Sequence, residues 1–232
     1  HELPFKGKEK VVVRMSPIKL ALLGFRTPPV GHKDEPALEV MCEMLSNENK
    51  SGLLDKLVLD NKLIAAEILP MNYNDYGASI ILIVPKIFGQ SIKKAEELVI
   101  KEIQKIKNGD FSDDLLQASK NSLYLSHQTA IEDIDNRALL FAETFTQNIP
   151  IDEVIKYPQK IKAVNKEDVI KVANEYFNNN YLAFYSKIGF PKKEKIDKPN
   201  YKPVLSNSEA KSQFAVRLSN IPDKQIKEKY FD

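Results

Sequence analysis

The stretch that decides the fold is Ile18–Val58, IKLALLGFRTPPVGHKDEPALEVMCEMLSNENKSGLLDKLV. The spacing of its apolar residues changes along its length from that of a β-strand to that of a helix. The strand-like part extends back to Lys10, is aliphatic and β-branched, and ends at a pair of prolines, which is typical of a β-strand. Beyond Pro36 the apolar residues recur at three- and four-residue spacing, which predicts a helix. The residues on its apolar face are Ala37, Val40, Met41, Met44 and Leu45. A second, short helix is predicted over residues 51–60.

The rest of the chain alternates between strands and helices in an uneven order. Two strand candidates, KLIAAEIL and GASIILIVP, are separated by a polar turn. Helices are then predicted from Ser91 to Gly109, from Ser112 to about Asn148, between Pro150 and Pro158, and after the capping residue Asn165. A last strand, YLAFYSKIGF, follows. Strand pairs joined by short turns favour an α+β fold with an antiparallel sheet and helices packed on one face.

The composition changes near residue 190. Residues 1–190 are expected to form one α+β domain, and residues 191–232 a linker toward a C-terminal half that lies outside this chain. This tail carries ten Lys and Arg residues against six Asp and Glu residues, and it is rich in Lys, Pro and Ser. The Lys cluster is interpreted as a solvated linker, since it lacks the interleaved aromatic residues of a nucleic-acid surface.

Bulk composition excludes several classes of function. The chain has 232 residues, 43% of them hydrophobic, and a net charge of +2, which gives no reason to expect nucleic acid or an anionic membrane as partner. No apolar run is long enough to span a bilayer. The single cysteine, Cys42, excludes an intrachain disulfide and is expected to be a buried hydrophobic residue. The compartment stays open; an exported, periplasmic parent whose signal lies outside this piece is compatible with the sequence.

The motif HKDEP at His32–Pro36 raises the question of a metal site. Catalytic zinc needs three protein ligands, and the chain holds only three histidines, His1, His32 and His127. Pro36 stands where a second ligand would follow, and it suits the first turn of a helix, which Asp34 or Glu35 can cap. We therefore interpret this motif as a helix start, and His127 as a packed or hydrogen-bonded helix residue.

Other catalytic patterns are missing from the sequence as well. It contains no Gly-x-Ser-x-Gly elbow and no phosphate-binding glycine-rich loop. The acidic residues fit helix caps and solvated faces; they are Asp113, Asp114, Glu132, Asp133 and Asp135. The residues alone thus indicate a domain without a self-contained active site.

The chain contains a strand ending in GF-x-x-P, a helix D-x-x-A-L-x-V, a Ser before L-L-x-x-L, the strand GASIILIVP, and VNKEDVIKVANEYF before a closing strand. These features resemble the second domain of the insulinase/pitrilysin family of zinc metallopeptidases. They cover about residues 10–190 in the right order. The tail resembles the linker that joins the two halves of these enzymes. The resemblance implies the metallohydrolase-like fold of the insulinase and mitochondrial processing peptidase type.

The resemblance also implies where the metal lies. In this family the zinc helix, with an inverted His-x-x-Glu-His motif, belongs to the first domain, and the second domain repeats the fold without it. No cofactor is therefore expected in this fragment, and zinc is expected in the first domain of the parent. An Arg and a Tyr seven residues apart mark the fourth domain of active members. The corresponding positions here are Val58 and Ala65, so a second domain is favoured over a fourth.

Some family members anchor the N-terminal part of the substrate on the second domain. The corresponding surfaces here are the loop before L-L-x-x-L and the edge of the following strand, where backbone groups bind an extended peptide. The implied substrate-binding residues are Asn47, Glu48, Asn49, Lys50, Ser51, Tyr76, Gly77, Ala78 and Ser79. The loop lacks the glycines that the family often has, so an ordinary helix–helix loop remains the alternative.

The sequence thus leads to a non-catalytic domain of a zinc metalloendopeptidase that forms part of the chamber wall and helps to position substrate. Whether the parent is an enzyme stays open, and this fragment alone should be inactive. The main alternative is a catalytically inactive partner or structural subunit of the same fold. A third is an unrelated domain that binds a partner through its tail. The expected partners are other domains of the parent chain or a homologous subunit, and a peptide substrate.

Overall fold

A computed structural model describes residues 5–191, 200–201 and 210–222. The chain divides into two compact units, residues 1–192 and residues 193–232. The larger unit contains one sheet and seven helices within the described residues. The linker role of residues 191–232 stays a prediction.

Five strands form a mixed sheet in the order β1-β5-β2-β4-β3. The strands are β1 (Glu9–Ser16), β2 (Leu20–Thr27), β3 (Ala65–Asn72), β4 (Gly77–Val84) and β5 (Leu182–Ile188). Three pairs are antiparallel, as the sequence predicts, and β1 runs parallel to β5. The predicted first strand is divided near Pro17, which has no backbone N–H to donate to a ladder. Its two parts are separated in the sheet by β5.

The core lies between the sheet and the helices. Along β2, buried Ala21, Leu23 and Phe25 alternate with half-buried residues, and β4 shows the same pattern. Because side chains alternate across a strand, one face of the sheet packs on the helices. The stacked rings of Phe25 and Tyr181, whose centroids are 4.9 Å apart, lie in this core.

Seven helices follow the order predicted from the sequence, with two differences. They are α1 (Glu35–Leu45), α2 (Leu53–Leu59), α3 (Ile92–Lys107), α4 (Asp113–Ala130), α5 (Ile134–Thr146), α6 (Ile151–Ala163) and α7 (Lys166–Tyr176). The predicted caps are confirmed: the side chains of Ser91, Ser112 and Asn165 accept hydrogen bonds from backbone N–H groups of the first turns of α3, α4 and α7.

The first difference is a break in the helix predicted from Ser112 to about Asn148. The chain leaves the helix after Ala130, and Asp133 caps α5 by accepting a hydrogen bond from Asn136 N at 2.9 Å. The second concerns Pro158, which lies inside α6 instead of bounding it. Pro158 is buried, so packing of this face offsets the lost backbone hydrogen bond.

In the smaller unit, the described residues form one short helix, α8 (Gln213–Ser219), capped by Ser212. The sequence predicted no regular element here. None of the helices in the described ranges is long and apolar enough to cross a membrane.

Candidate substrate-binding site

The loop Asn47–Ser51 is built around the side chain of Asn47. The Asn47 backbone N–H donates to Asp55 Oδ2 at 3.0 Å, and Asn47 Oδ1 accepts from the Ser51 N–H at 3.2 Å and the Ser51 hydroxyl at 3.1 Å. Asn47 is buried, whereas Glu48, Asn49, Lys50 and Ser51 are exposed. Asn47 therefore shapes the loop, and the exposed residues provide its surface.

Lys50 places this loop next to β3. It has a left-handed backbone (φ 55°), and its Nζ lies 3.2 Å from Glu67 Oε1 and 3.9 Å from Asp55 Oδ1. The hydrogen bond to Glu67 raises the pKa of Lys50. The loop and β3 thus form one continuous surface.

Gly52 allows the loop to turn tightly into α2. A Cβ at this position would overlap the carbonyl oxygen of Leu45 and lie 2.6 Å from its carbonyl carbon. The Gly52 N–H also donates to Asp55 Oδ2 at 3.0 Å. The close approach of the end of α1 to the start of α2 therefore requires glycine here.

The prediction that Tyr76–Ser79 lies at an edge of the sheet is wrong. Gly77–Ser79 pair with Phe25–Thr27 of β2 on one side and with Pro70–Asn72 of β3 on the other, so β4 is an interior strand. Tyr76 is exposed, Ala78 is half-buried, and Gly77 and Ser79 are buried. Strand order depends on pairing between distant segments, which the sequence pattern does not specify. Among the described residues, the edge of the sheet on this side is β3, which pairs with β4 on its other side.

Val58 and Ala65 occupy the positions that the resemblance assigns to Arg and Tyr. Val58 lies on α2 and Ala65 begins β3, and both are half-buried apolar residues. Neither side chain can donate a hydrogen bond to a substrate.

The HKDEP motif is a helix start, as predicted. Pro36 lies in the first turn of α1, and Glu35 Oε2 accepts a hydrogen bond from the Gly31 N–H at 2.8 Å. His32 Nδ1 accepts from the Asp34 N–H at 3.2 Å. Among the described residues, no group of three or more His, Cys, Asp and Glu side chains could hold a metal ion.

Asp34 does not cap α1 with its side chain, contrary to one of the two expectations. Its carboxylate instead accepts hydrogen bonds from Lys171 Nζ at 3.0 Å and from the Tyr176 hydroxyl at 2.9 Å, both on α7. Burial would raise the pKa of Asp34, but the bonds from Lys171 and Tyr176 outweigh it and hold the pKa below its usual value. Asp34 thus ties α7 to the start of α1.

His127 is hydrogen-bonded, as predicted, in a cluster that the sequence analysis missed. Its Nε2 lies 3.0 Å from Glu39 Oε1, and the Tyr157 hydroxyl donates to Glu39 Oε2 at 2.6 Å. The hydrogen bond to Glu39 raises the pKa of His127, and burial raises the pKa of Tyr157. The four-residue spacing of Glu35, Glu39 and Glu43 on α1 is the sequence signal that could have indicated a polar stripe facing other helices.

Cys42 is buried on α1, as predicted, with its Sγ 3.9 Å from the Ser79 Oγ. Burial raises the pKa of its thiol to about 12. Since the thiolate is the reactive form, Cys42 is inert as a nucleophile. The arrangement around the loop and β3 therefore offers backbone groups and exposed side chains for binding, and the side chains named above supply no nucleophile or metal ligand set.

The fold and this site define an α+β domain in which the described residues bring no metal-binding group together. The chain is similar to the zinc protease PqqE of Helicobacter pylori, with 26% identity over 182 residues that cover 75% of this chain and 39% of that protein. Among solved structures, a protease from Helicobacter pylori superposes with a TM-score of 0.73 at 22% identity, covering 78% of this chain and 44% of the other. A chain of complex III from Candida albicans superposes with a TM-score of 0.65 at 12% identity, covering 78% and 46%.

The sequence profile described as the peptidase M16 inactive domain matches residues 2–123, which is more than half of the chain. The chain therefore belongs to this family, as the resemblance predicted. It spans less than half the length of the relatives just named.

Proposed function

We propose that this chain is the non-catalytic domain of a zinc metalloendopeptidase, where it forms part of the chamber wall and helps to position the peptide substrate. Zinc would be held by a companion domain of the same protease, which activates water for peptide hydrolysis. Membership of the inactive-domain family supports this proposal, and so does the lack of a metal-binding group among the described residues.

The observation that supports the positioning role is that β3 is the outermost strand in the described part of the chain, beside the loop Asn47–Ser51. A strand at the edge of a sheet presents unpaired backbone N–H and C=O groups, which an extended peptide can join as an additional strand. Lys50 and Glu67 link the loop to β3, so side chains of the loop would lie next to such a peptide. This surface replaces the edge at Tyr76–Ser79 that the sequence predicts.

Pro70 limits where a peptide can pair. It has no N–H and lies on an edge strand, the position in sheets where proline is tolerated. Backbone pairing is therefore expected along Ala65–Leu69, next to Glu67, and weaker beyond Pro70. Binding through backbone groups would depend little on substrate sequence.

Hydrogen exchange tests the positioning role. In the intact protease, with its zinc removed so that no cleavage occurs, a saturating extended peptide should slow amide exchange in Ala65–Leu69. Strand β1, the other edge of the sheet, is the internal control and should be unaffected. Unchanged exchange in β3, or equal slowing in β1, would exclude this mode of binding.

A kinetic variant tests the loop. Lys50→Ala should raise KM for a peptide substrate with kcat nearly unchanged, because a contact made equally in the ground and transition states affects binding alone. Lys62→Ala removes an exposed lysine away from the loop and should leave KM unchanged. A fall in kcat for Lys50→Ala with constant KM would contradict a positioning role.

A catalytically inactive structural subunit is the second candidate, favoured by the similarity of fold to a chain of complex III. Zinc content of the intact parent protein separates the two. About one equivalent of zinc, with chelator-sensitive peptide cleavage, is expected for the protease. If the intact parent protein held no zinc and cleaved no peptide, the structural subunit would be the remaining candidate.

A further inference from the structure

Helix α5 carries an apolar stripe that is exposed among the described residues of the larger unit. The stripe consists of Ile134, Ala138, Phe141 and Phe145, spaced four, three and four residues apart, so the side chains share one face of the helix. Ile134 is 72% exposed, Phe141 53% and Phe145 86%. Large side chains aligned on one helix face are typically buried against a partner.

A different side of α5 attaches the helix to the domain. Thr144 is buried, and Leu140 is half-buried. The Thr146 carbonyl accepts a hydrogen bond from Asn74 Nδ2 at 3.1 Å, which brings the β3–β4 turn next to the C-terminal end of α5. Tyr73 and Tyr76 in this turn are exposed as well. Exposed aromatic residues therefore lie both on the stripe and in the neighbouring turn, and aromatic residues are enriched in protein interfaces.

We propose that the α5 stripe is the surface on which an amphipathic helix of the zinc-bearing companion domain docks. This inference rests on the proposed function, because it requires such a domain. The spacing of the stripe is that of helix–helix packing. The relatives are more than twice as long as the part of them that this chain matches, so in those proteins at least as much chain is available to cover such a surface.

The segment that contains α5 is acidic, which favours a basic partner. Residues 131–156 contain six acidic residues and two basic ones, Arg137 and Lys156, and one of the acidic residues, Glu153, is paired with Lys160. Two copies of this surface would place like charges against each other, which disfavours a homodimer. The docking helix is therefore expected to carry Lys or Arg beside its apolar face.

The backbone of α5 excludes an extended peptide as the occupant. Its N–H and C=O groups are bonded within the helix, so a peptide would gain no backbone hydrogen bonds there, in contrast to the edge of β3. The stripe and the β3 edge thus have different roles: one would hold the companion domain and the other the substrate.

Hydrogen exchange of α5 in two forms of the protein tests this proposal. The amides of Ile134–Thr146 should exchange at least tenfold more slowly in the intact protease than in the isolated 232-residue chain. Phe145→Glu in the intact protease should return α5 to the faster rate. Phe88→Glu is the matched control, since Phe88 is a phenylalanine of almost the same exposure, 87%, outside the stripe, and it should leave α5 protected.

If the α5 amides exchanged at the same rate in the intact protease and in the isolated 232-residue chain, the proposal would be overturned. This comparison uses the unsubstituted protein alone. Protection of α5 that survives Phe145→Glu would also overturn the proposal. Either result leaves the proposed function standing if the intact protein holds zinc and cleaves peptides. Absence of a zinc-bearing domain would remove the proposed function and this inference together.

Discussion

His127 Nε2 on α4 lies 3.0 Å from Glu39 Oε1 on α1, and this pair joins two helices through residues that are 88 positions apart in sequence. The His127 ring also meets the Tyr157 ring edge-on, with 5.2 Å between centroids. Glu39 accepts from both His127 and Tyr157, so a single carboxylate connects α1, α4 and α6.

The His127–Glu39 pair predicts a pH-dependent contribution to stability. The folded-state pKa of His127 is raised above its ordinary value of 6.5, so the folded protein binds the proton more tightly than the unfolded chain. The resulting stability is complete below the unfolded-state pKa and is lost as pH rises through the folded-state pKa. His127→Gln should therefore lower the free energy of unfolding more at pH 5.5 than at pH 8.5, by on the order of 1 kcal/mol.

Urea denaturation at the two pH values measures this difference. Tyr157→Phe is the control, because it removes the other hydrogen bond to Glu39 without a group that titrates in this range. Its cost should be similar at both pH values. A His127→Gln cost that is the same at pH 5.5 and 8.5 would contradict a charged His127.

Gly52 predicts a steric effect on stability. In Gly52→Ala the new Cβ would meet backbone atoms of Leu45 and Ser46, which cannot move aside as a flexible side chain can. The free energy of unfolding should fall by about 2–3 kcal/mol. Gly24→Ala is the matched control, because the nearest atom to its Cβ is Leu182 Cβ at 4.0 Å, and it should change stability by less than about 0.5 kcal/mol. Equal effects of the two substitutions would refute this role of Gly52.

Features determined by neighbours in sequence were predictable, and the helix caps show why. Ser91 and Asn165 accept hydrogen bonds from N–H groups three residues ahead, so the signal and the structure lie in the same short segment. The division of the predicted helix Ser112–Asn148 is an exception, although its signal is also local. Asp133 is a cap-type residue three positions before Asn136, from whose N–H it accepts a hydrogen bond, and the periodicity alone does not show that it ends one helix and begins the next.

Features that depend on distant segments could not be predicted in this way. The edge position of β3 follows from the insertion of β4 between β2 and β3, and the parallel β1–β5 pair joins residues more than 170 positions apart. The bonds from α7 to Asp34 are similarly remote, since Lys171 lies 137 residues away. The local sequence at Asp34 favours a helix cap, but the Asp34 carboxylate binds Lys171 and Tyr176 of α7 instead.

Asp34 predicts a loss of stability in acid. Its folded-state pKa is below the ordinary value of 3.8, so the stability it contributes is present above that value and is lost as pH falls through the folded-state pKa. At pH 7, Asp34→Asn should lower the free energy of unfolding by about 1–2 kcal/mol, since it weakens two hydrogen bonds to a charged group.

Thermal or urea unfolding from pH 7 to pH 2.5 checks this prediction, with the two proteins converging in acid. Asp60→Asn serves as control because Asp60 forms an exposed pair with Lys62 at 3.0 Å, and such pairs contribute at most about 1 kcal/mol. If Asp60→Asn lowered the free energy of unfolding at pH 7 as much as Asp34→Asn, the bonds from α7 to Asp34 would contribute no more to stability than an exposed ion pair.

Metal analysis tests the assignment of this domain as non-catalytic. Three ligands are needed to hold catalytic zinc, and the described residues bring no such group together; His32 bonds locally to the Asp34 N–H, and His127 is engaged by Glu39. The purified 232-residue chain, dialysed against zinc and then against metal-free buffer, should retain well below one equivalent by mass spectrometry. Its thermal midpoint should be the same with and without a chelator, because a metal that binds only the folded state would raise it. One equivalent of retained zinc, lost together with a fall in the midpoint on His32→Ala, would show that the helix start at His32–Pro36 is a metal site after all.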